Sequence, residues 1–303
     1  MAIRKDNPRN LYVTFTMDCE RIAEYAPEGG GPESWRVSEE AVQRFAEILQ
    51  REGMKGGFYI QPETAERHKE LFLDLEASGF ELGMQFHCGN FRDLSFKKYL
   101  GSYSRKEQLH ILCLAKEDWT EAIGRPPRSF RAGFFSMNNE TYRVLHELGF
   151  KQSSSCIPGR NRPEVYAVWV GAYPYAHHVD PQNRLSPGSL ELYEVPVTVN
   201  WLDRERLKKG TPMDLRVEGK VPLEYHKETI QMNIERMVRL EIPIKTIVGI
   251  THNTEYFLEK KSVLESMVSY VKEAAQRYGL NIVPSTLEEI HRAAHGGDLP
   301  SGS

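Results

Sequence analysis

Short apolar runs alternate with amphipathic segments along nearly the whole chain, and that alternation limits the possible folds more than any other feature. "YVTFTMD" (12–18) reads as a buried strand. "SEEAVQRFAEILQREG" sets Val42, Phe45, Ile48 and Leu49 on one helical face, with Ser38 as N-cap and Gly53 just past the end. "KGGFYI" is a second strand, "ETAERHKELFLDLEASG" a second helix and "FELGMQFH" a third strand. A long helix covers 105–123, where Leu109, Leu112 and Trp119 recur at helical spacing. "RSFRAG", "KQSSSC" and "LELYEVPVT" read as strands, with a capped helix in "NNETYRVLHELGF" between the first two. The last third repeats the unit through "LEYHKETIQMNIERMVRL", "IKTIVGITH", "SVLESMVSYVKEAAQRYG" and "LNIVPSTLEEIHRA". A polar, proline-rich stretch over 158–188 reads as an inserted loop or hairpin, and the tail 293–303 is predicted to be disordered. Repeated β-then-α units predict a parallel sheet with helices outside, either closed as a barrel or doubly wound. No internal repeat or linker divides the pattern, so one domain is expected.

Composition agrees. The 303 residues are 40% hydrophobic and 27% charged, which is globular rather than disordered. That length suits a single α/β barrel with its ends. A formal net charge of −3 provides no basic excess to steer nucleic acid or an anionic membrane. Cys19, Cys88, Cys113 and Cys156 show no paired spacing, so reduced thiols in a cytoplasmic protein are expected. The N-terminus has no apolar leader-like core, and no run approaches the ~20 apolar residues of a membrane-spanning helix.

In such folds chemistry gathers at the carboxyl ends of the strands. Here the first strand ends in Asp18, Cys19 and Glu20, the third in Gln85, His87 and Cys88, the fourth in Arg131, and the late strand in His252. Each has an ordinary structural reading: a helix-capping or solvated carboxylate, a rim histidine, half of an ion pair, a small buried thiol. Their convergence on one rim is the functional signal. Side chains alternate along an extended segment, so Asp18 and Glu20 share a side and Cys19 takes the other. Trp35, Phe134, Phe135 and Tyr256 are aromatic candidates for lining that rim.

The order of these segments resembles the polysaccharide deacetylase family, the NodB-homology or carbohydrate esterase family 4 group, over roughly residues 10 to 292. "TFTMDCE" is similar to the form of its first motif in which two acids are one residue apart. "FELGMQFHCGNF" resembles the second motif, "FRAGFFSMNNETYRVLHELGF" the arginine-led third, and "VGITHNTEYF" the late histidine motif. "GLNIVPSTLEEI" is similar to the family's closing strand and helix. The resemblance implies a distorted (β/α) barrel of the NodB-homology type, a single domain with loop insertions. It implies Asp18 as general base, Arg131 as its buttress, His252 as general acid, and Glu20 and His87 as ligands of a divalent metal, with zinc expected and nickel or cobalt as alternatives. Two departures stand out. Gln85 occupies a position where a second histidine is usual. The motif that normally orients the catalytic histidine has no clear match, Asp180 and Glu194 being the nearest candidates. His177 and His178 fall in the inserted stretch, where surface residence is expected.

The resulting expectation is metal-dependent removal of the N-acetyl group from an acetamido sugar or glycan precursor, with a small-molecule or oligosaccharide amide as substrate. The alternatives are hydrolysis of another carbon–nitrogen amide, such as a formamide, ureide or cyclic amide, and a catalytically silent carbohydrate-binding relative.

Overall fold

The computed structural model describes residues 7–26, 30–218, 221–254 and 257–296. In these segments the strands are β1 (Asn10–Cys19), β2 (Gly56–Ile60), β3 (Glu81–Phe86), β4 (Ser129–Ala132), β5 (Gln152–Ser153), β6 (Asn161–Arg162), β7 (Ala167–Val168), β8 (His177–His178), β9 (Tyr193–Glu194), β10 (Lys245–His252) and β11 (Asn281–Pro284). The helices are α1 (Trp35–Arg51), α2 (Pro62–Arg67), α3 (Lys69–Ala77), α4 (Arg105–Ile123), α5 (Thr141–Glu147), α6 (Arg204–Lys208), α7 (Leu223–Arg239), α8 (Leu258–Arg277) and α9 (Leu287–Ala294).

β1 is the hub. It is buried from Leu11 onward, as a strand flanked by neighbours and covered on both faces must be. β10 pairs along it in parallel, and the register brings Asp18 opposite His252. On its other edge β11 takes the first half and β2 the second. The sheet runs β10-β1-β2-β3-β4-β5-β9-β8, parallel except for β8, which is antiparallel to β9. It curls into a barrel closed by irregular chain. Val195 and Val197 donate to the β5 side, at Ser153 O and Cys156 O, while Thr198 N donates to Val248 O of β10 at 3.2 Å. The 214–217 segment then runs beside β10, with Arg216 bridged in parallel to Ile250. The expected distorted (β/α) barrel is therefore the observed fold.

Local choices follow from the sequence. α4 begins with a capping box, Ser104 and Glu107 satisfying each other's backbone N–H, and ends on Gly124 at φ 89°. Phe58 packs on Phe45, Phe72 and Phe80, joining β2 to α1 and α3 in one core. Three boundaries differ from expectation. α1 starts at Trp35 with Ser34 as its cap. Ser38 is instead buried one turn inside, where its hydroxyl meets Asn253 and His68, so tertiary contact overrides its capping preference. The second helix breaks at His68 into α2 and α3. α9 runs on to Ala294 with His295 as its C-cap, so 293–296 are ordered helix end; 297–303 lie outside the described residues. No described helix is long and apolar enough to cross a membrane.

Candidate functional site

The carboxyl ends of β1, β3, β4 and β10 open into one cleft of about 590 Å3. Asp18, Glu20, Gln85, His87, Phe134 and His252 line it, facing Asp214, Arg216 and Glu218. As the pleat requires, Asp18 and Glu20 share this face while Cys19 packs into the core. Burial pushes the Cys19 and Cys88 thiols well up, and neither lines the cleft.

Asp18 is held from below by Arg131, a residue with 0% exposure. Arg131 Nη1 donates to Asp18 Oδ1 at 2.7 Å and to Thr16 Oγ1 at 2.8 Å. Its Nε and Nη2 donate to Ser154 O and Oγ at 2.8 and 2.9 Å, and the guanidinium lies 4.2 Å from the Tyr59 ring centre. The fork geometry of guanidinium, with its fixed donors, is used almost completely.

Glu20 is equally constrained. Its carboxylate accepts from Gln61 Nε2 and, at 2.8 Å, from Gln85 Nε2, and lies 3.2 Å from His87 Nε2. Burial raises its pKa, but His87, His252 and the Gln85 bond together outweigh that and hold it below its usual value. A Cβ at position 133 would overlap the His87 ring, which explains the glycine after Arg131-Ala132. The next two residues, Phe134 and Phe135, take φ of 55° and 60°. Such left-handed backbone costs roughly 1–2 kcal/mol per residue, and here it sets the Phe134 ring edge-on to His87 with centroids 4.7 Å apart.

On the far wall, His252 Nδ1 lies 2.8 Å from Glu218 Oε1, and its Nε2 lies 3.9 Å from Asp18 Oδ2. Arg216, anchored on Asp214 by two 3.1 Å contacts, approaches the same imidazole. Burial would raise the Glu218 carboxyl, but His252, Lys260 and Arg216 hold it down to about 2. A depressed carboxyl stabilises the fold above its unfolded value and loses that contribution as pH falls through its folded value. Glu218→Gln is therefore expected to lower stability at pH 7 by on the order of 3 kcal/mol. Denaturant midpoints of the two proteins should converge between pH ~5 and ~2; equal midpoints at pH 7 would rule this out.

Glu218 is the residue that sequence reasoning missed. Asp180 makes an Asx turn with Gln182 and Asn183, and Glu194 is buried under Tyr142 and the Ser155 and Cys156 amides, so neither orients His252. The signal for Glu218 was present in "DLRVE": Leu215 and Val217 alternate with Asp214, Arg216 and Glu218, the period of a half-buried strand. Trp35 also departs from expectation. It packs edge-on to His68, beside Arg67, and is not among the cleft's lining residues, because α1 presents its first turn to α2. Neither His177, which is buried, nor His178 lines the cleft. Tyr256 lies outside the described residues.

A divalent cation would find Glu20 and His87 here. Among the described residues no third His, Cys, Asp or Glu joins them closely enough to complete a set. Gln85 can. Its Oε1 is buried with no hydrogen-bond partner, while its Nε2 lies 2.8 Å from Glu20 Oε1 and 3.3 Å from His87 Nε2. The two ends of an amide exchange by a half-turn, which would give a carbonyl oxygen to a Glu20–His87–Gln85 donor set. The residues fit a divalent ion in that form. Gln85→His is expected to tighten Zn2+ binding about tenfold or more in competition with a chelator. Unchanged affinity would exclude this trio as the ligand set.

Residues 30–153, which hold Gln85, His87, Arg131 and Phe134, match the family model described as polysaccharide deacetylase. No curated protein matches the chain in sequence. Its fold is similar to a structure from Mycobacterium smegmatis described as a polysaccharide deacetylase, at 17% identity and TM-score 0.62, over 94% of this chain and 90% of that one. A Parabacteroides distasonis structure described as a glycoside hydrolase/deacetylase aligns at 13% identity and TM-score 0.64, over 97% and 73%. PuuE allantoinase aligns at 13% identity and TM-score 0.58, over 94% and 90%. At these identities the structural likeness is one of fold, and the sequence match to the polysaccharide deacetylase model covers residues 30–153 of this chain.

Proposed function

We propose that the cleft hydrolyses the N-acetyl amide of an acetamido sugar or glycan precursor. One observation carries the reading: Asp18 and His252 face each other across the cleft floor at 3.9 Å, each backed by a buried partner of opposite charge or complementary hydrogen bonding. Asp18, held in place by the Arg131 hydrogen bond, accepts the proton of the attacking water. Glu218 accepts the Nδ1 proton of His252, leaving Nε2 to carry a proton to the departing nitrogen. Glu20, His87 and Gln85 would hold a divalent ion, zinc being the first expectation for this donor set and nickel or cobalt acceptable. When bound, such an ion polarises the amide carbonyl and acidifies water. Phe134 gives an apolar face against which a sugar ring or acetyl methyl can rest.

A second reading has its own support. Arg160, Arg162, Arg206 and Arg216 also line the cleft, and guanidinium forks match a carboxylate well. That favours an anionic ureide or cyclic amide as the scissile group. Acetate release from acetamido sugars supports the first reading. Turnover of a carboxylate-bearing ureide or cyclic amide, with no acetate released, replaces it with the second. No turnover of either class leaves the silent relative.

A further inference from the structure

Three histidines converge far from the cleft. His291 and His295 lie four residues apart at the end of α9, and His178 lies on the edge strand β8. Gln152 and Ser129, the first residues of β5 and β4, lie beneath them, so the cluster is at the opposite end of the strands from the cleft. His295 Nε2 is 3.1 Å from His178 Nε2 and 3.2 Å from His291 Nε2.

The tautomers can be worked out from the neighbours. His178 Nδ1 lies 3.1 Å from Leu190 O, which only accepts, so the proton is on Nδ1 and Nε2 carries a lone pair. His291 Nδ1 lies 3.0 Å from the Gln152 amide. Ser129 Oγ touches both the Glu81 carboxylate and, at 3.1 Å, the other end of the Gln152 amide, yet a hydroxyl has one proton. With that proton on the carboxylate, Gln152 must give its N–H to Ser129 and turn its carbonyl to His291. His291 then also has its proton on Nδ1 and a lone pair on Nε2. Two lone pairs therefore point at the third imidazole, whose single N–H can satisfy only one of them.

We propose that His178, His291 and His295 form a site for a divalent ion of the zinc class, separate from the cleft, that staples the C-terminal helix to the sheet edge. Imidazole nitrogens ~2.0–2.1 Å from a tetrahedral zinc lie ~3.3 Å apart, close to the two distances found to His295 Nε2, and all three ligand atoms lie within 4.8 Å of one another. Leu190 O and the Gln152–Ser129–Glu81 chain take the outer N–H groups, as partners of ligating histidines do. Tyr193 stacks on His291 with centroids 4.9 Å apart, fixing that ring. The exposed side of His295 leaves the fourth position to water or an anion.

The full chain, stripped with chelator, is titrated with Zn2+ alone, and with Co2+ for its visible spectrum. Variants are His295→Gln at the exposed helix end, His178→Gln, and Glu20→Gln as a control for the cleft. Zinc is expected to raise the Tm of wild type and Glu20→Gln by about 5 °C or more, and the rise seen in Glu20→Gln should vanish when His295→Gln or His178→Gln is added to it, where neither site is intact. The Co2+ band of this site should weaken in both histidine variants and persist in Glu20→Gln. A zinc-induced Tm rise or Co2+ band that His295→Gln and His178→Gln retain in full in the Glu20→Gln background would overturn the assignment, as would no bound zinc in wild type. Neither readout depends on turnover, so the outcome is independent of the proposed hydrolysis.

Discussion

Asp18→Asn is expected to lower turnover by about 10^3-fold or more, within the span of a lost general base. The asparagine amide keeps the shape of the carboxylate and can still accept from Arg131 Nη1, which stands 2.7 Å away. It cannot take a proton from water. His252→Ala should lose about 10^2–10^4-fold through a different step, since it removes the group proposed to protonate the leaving nitrogen. The distinguishing measurement is a substrate series with leaving groups of decreasing basicity. The His252→Ala deficit should shrink along it, whereas the Asp18→Asn deficit should not. Turnover by Asp18→Asn within tenfold of wild type would remove Asp18 from the chemistry.

Arg131→Met is expected to show the largest effect on stability, roughly 3–5 kcal/mol, the usual consequence of removing one member of a buried ion pair. Arg131 is fully buried, and its four hydrogen bonds join β1, β4 and the Ser154 backbone. Methionine fills much of the volume but leaves Asp18 without its hydrogen-bonded cation and Ser154 O without its donor. Arg131→Lys should recover only part of the loss, because one ammonium cannot reach Asp18 and Ser154 together. In the Asp18→Asn background, Arg131→Met should be milder, since there is no stranded charge. Urea midpoints of the four proteins form a double-mutant cycle; additive changes would show that the pair is not coupled.

The order of elements was legible because burial leaves a local trace. α4 runs from Arg105 to Ile123, the span read from the recurrence of Leu109, Leu112 and Trp119. Asp18, Glu20, His87 and His252 reach one cleft, with Arg131 buried beneath Asp18, because each stands at the end of a strand of one parallel sheet, and parallel strands end on the same side. Gln85 was visible as a departure, but whether its amide could serve beside Glu20 depended on the 2.8 Å contact that only the folded barrel shows.

Periodicity and punctuation could be read from the chain alone: which segments bury a face, where they stop, and which reactive residues stand at those stops. The tertiary structure decided which segments become neighbours. The alternation in the strip carrying Glu218 marks a half-buried strand, but that this strip pairs with β10 and so meets His252 is set by how the barrel closes. The same holds for His178 and His295, 117 residues apart and in contact at 3.1 Å. Helix and strand periods report how a segment meets its surroundings, whereas a contact of that span depends on how the sheet closes, and no local pattern encodes the closure.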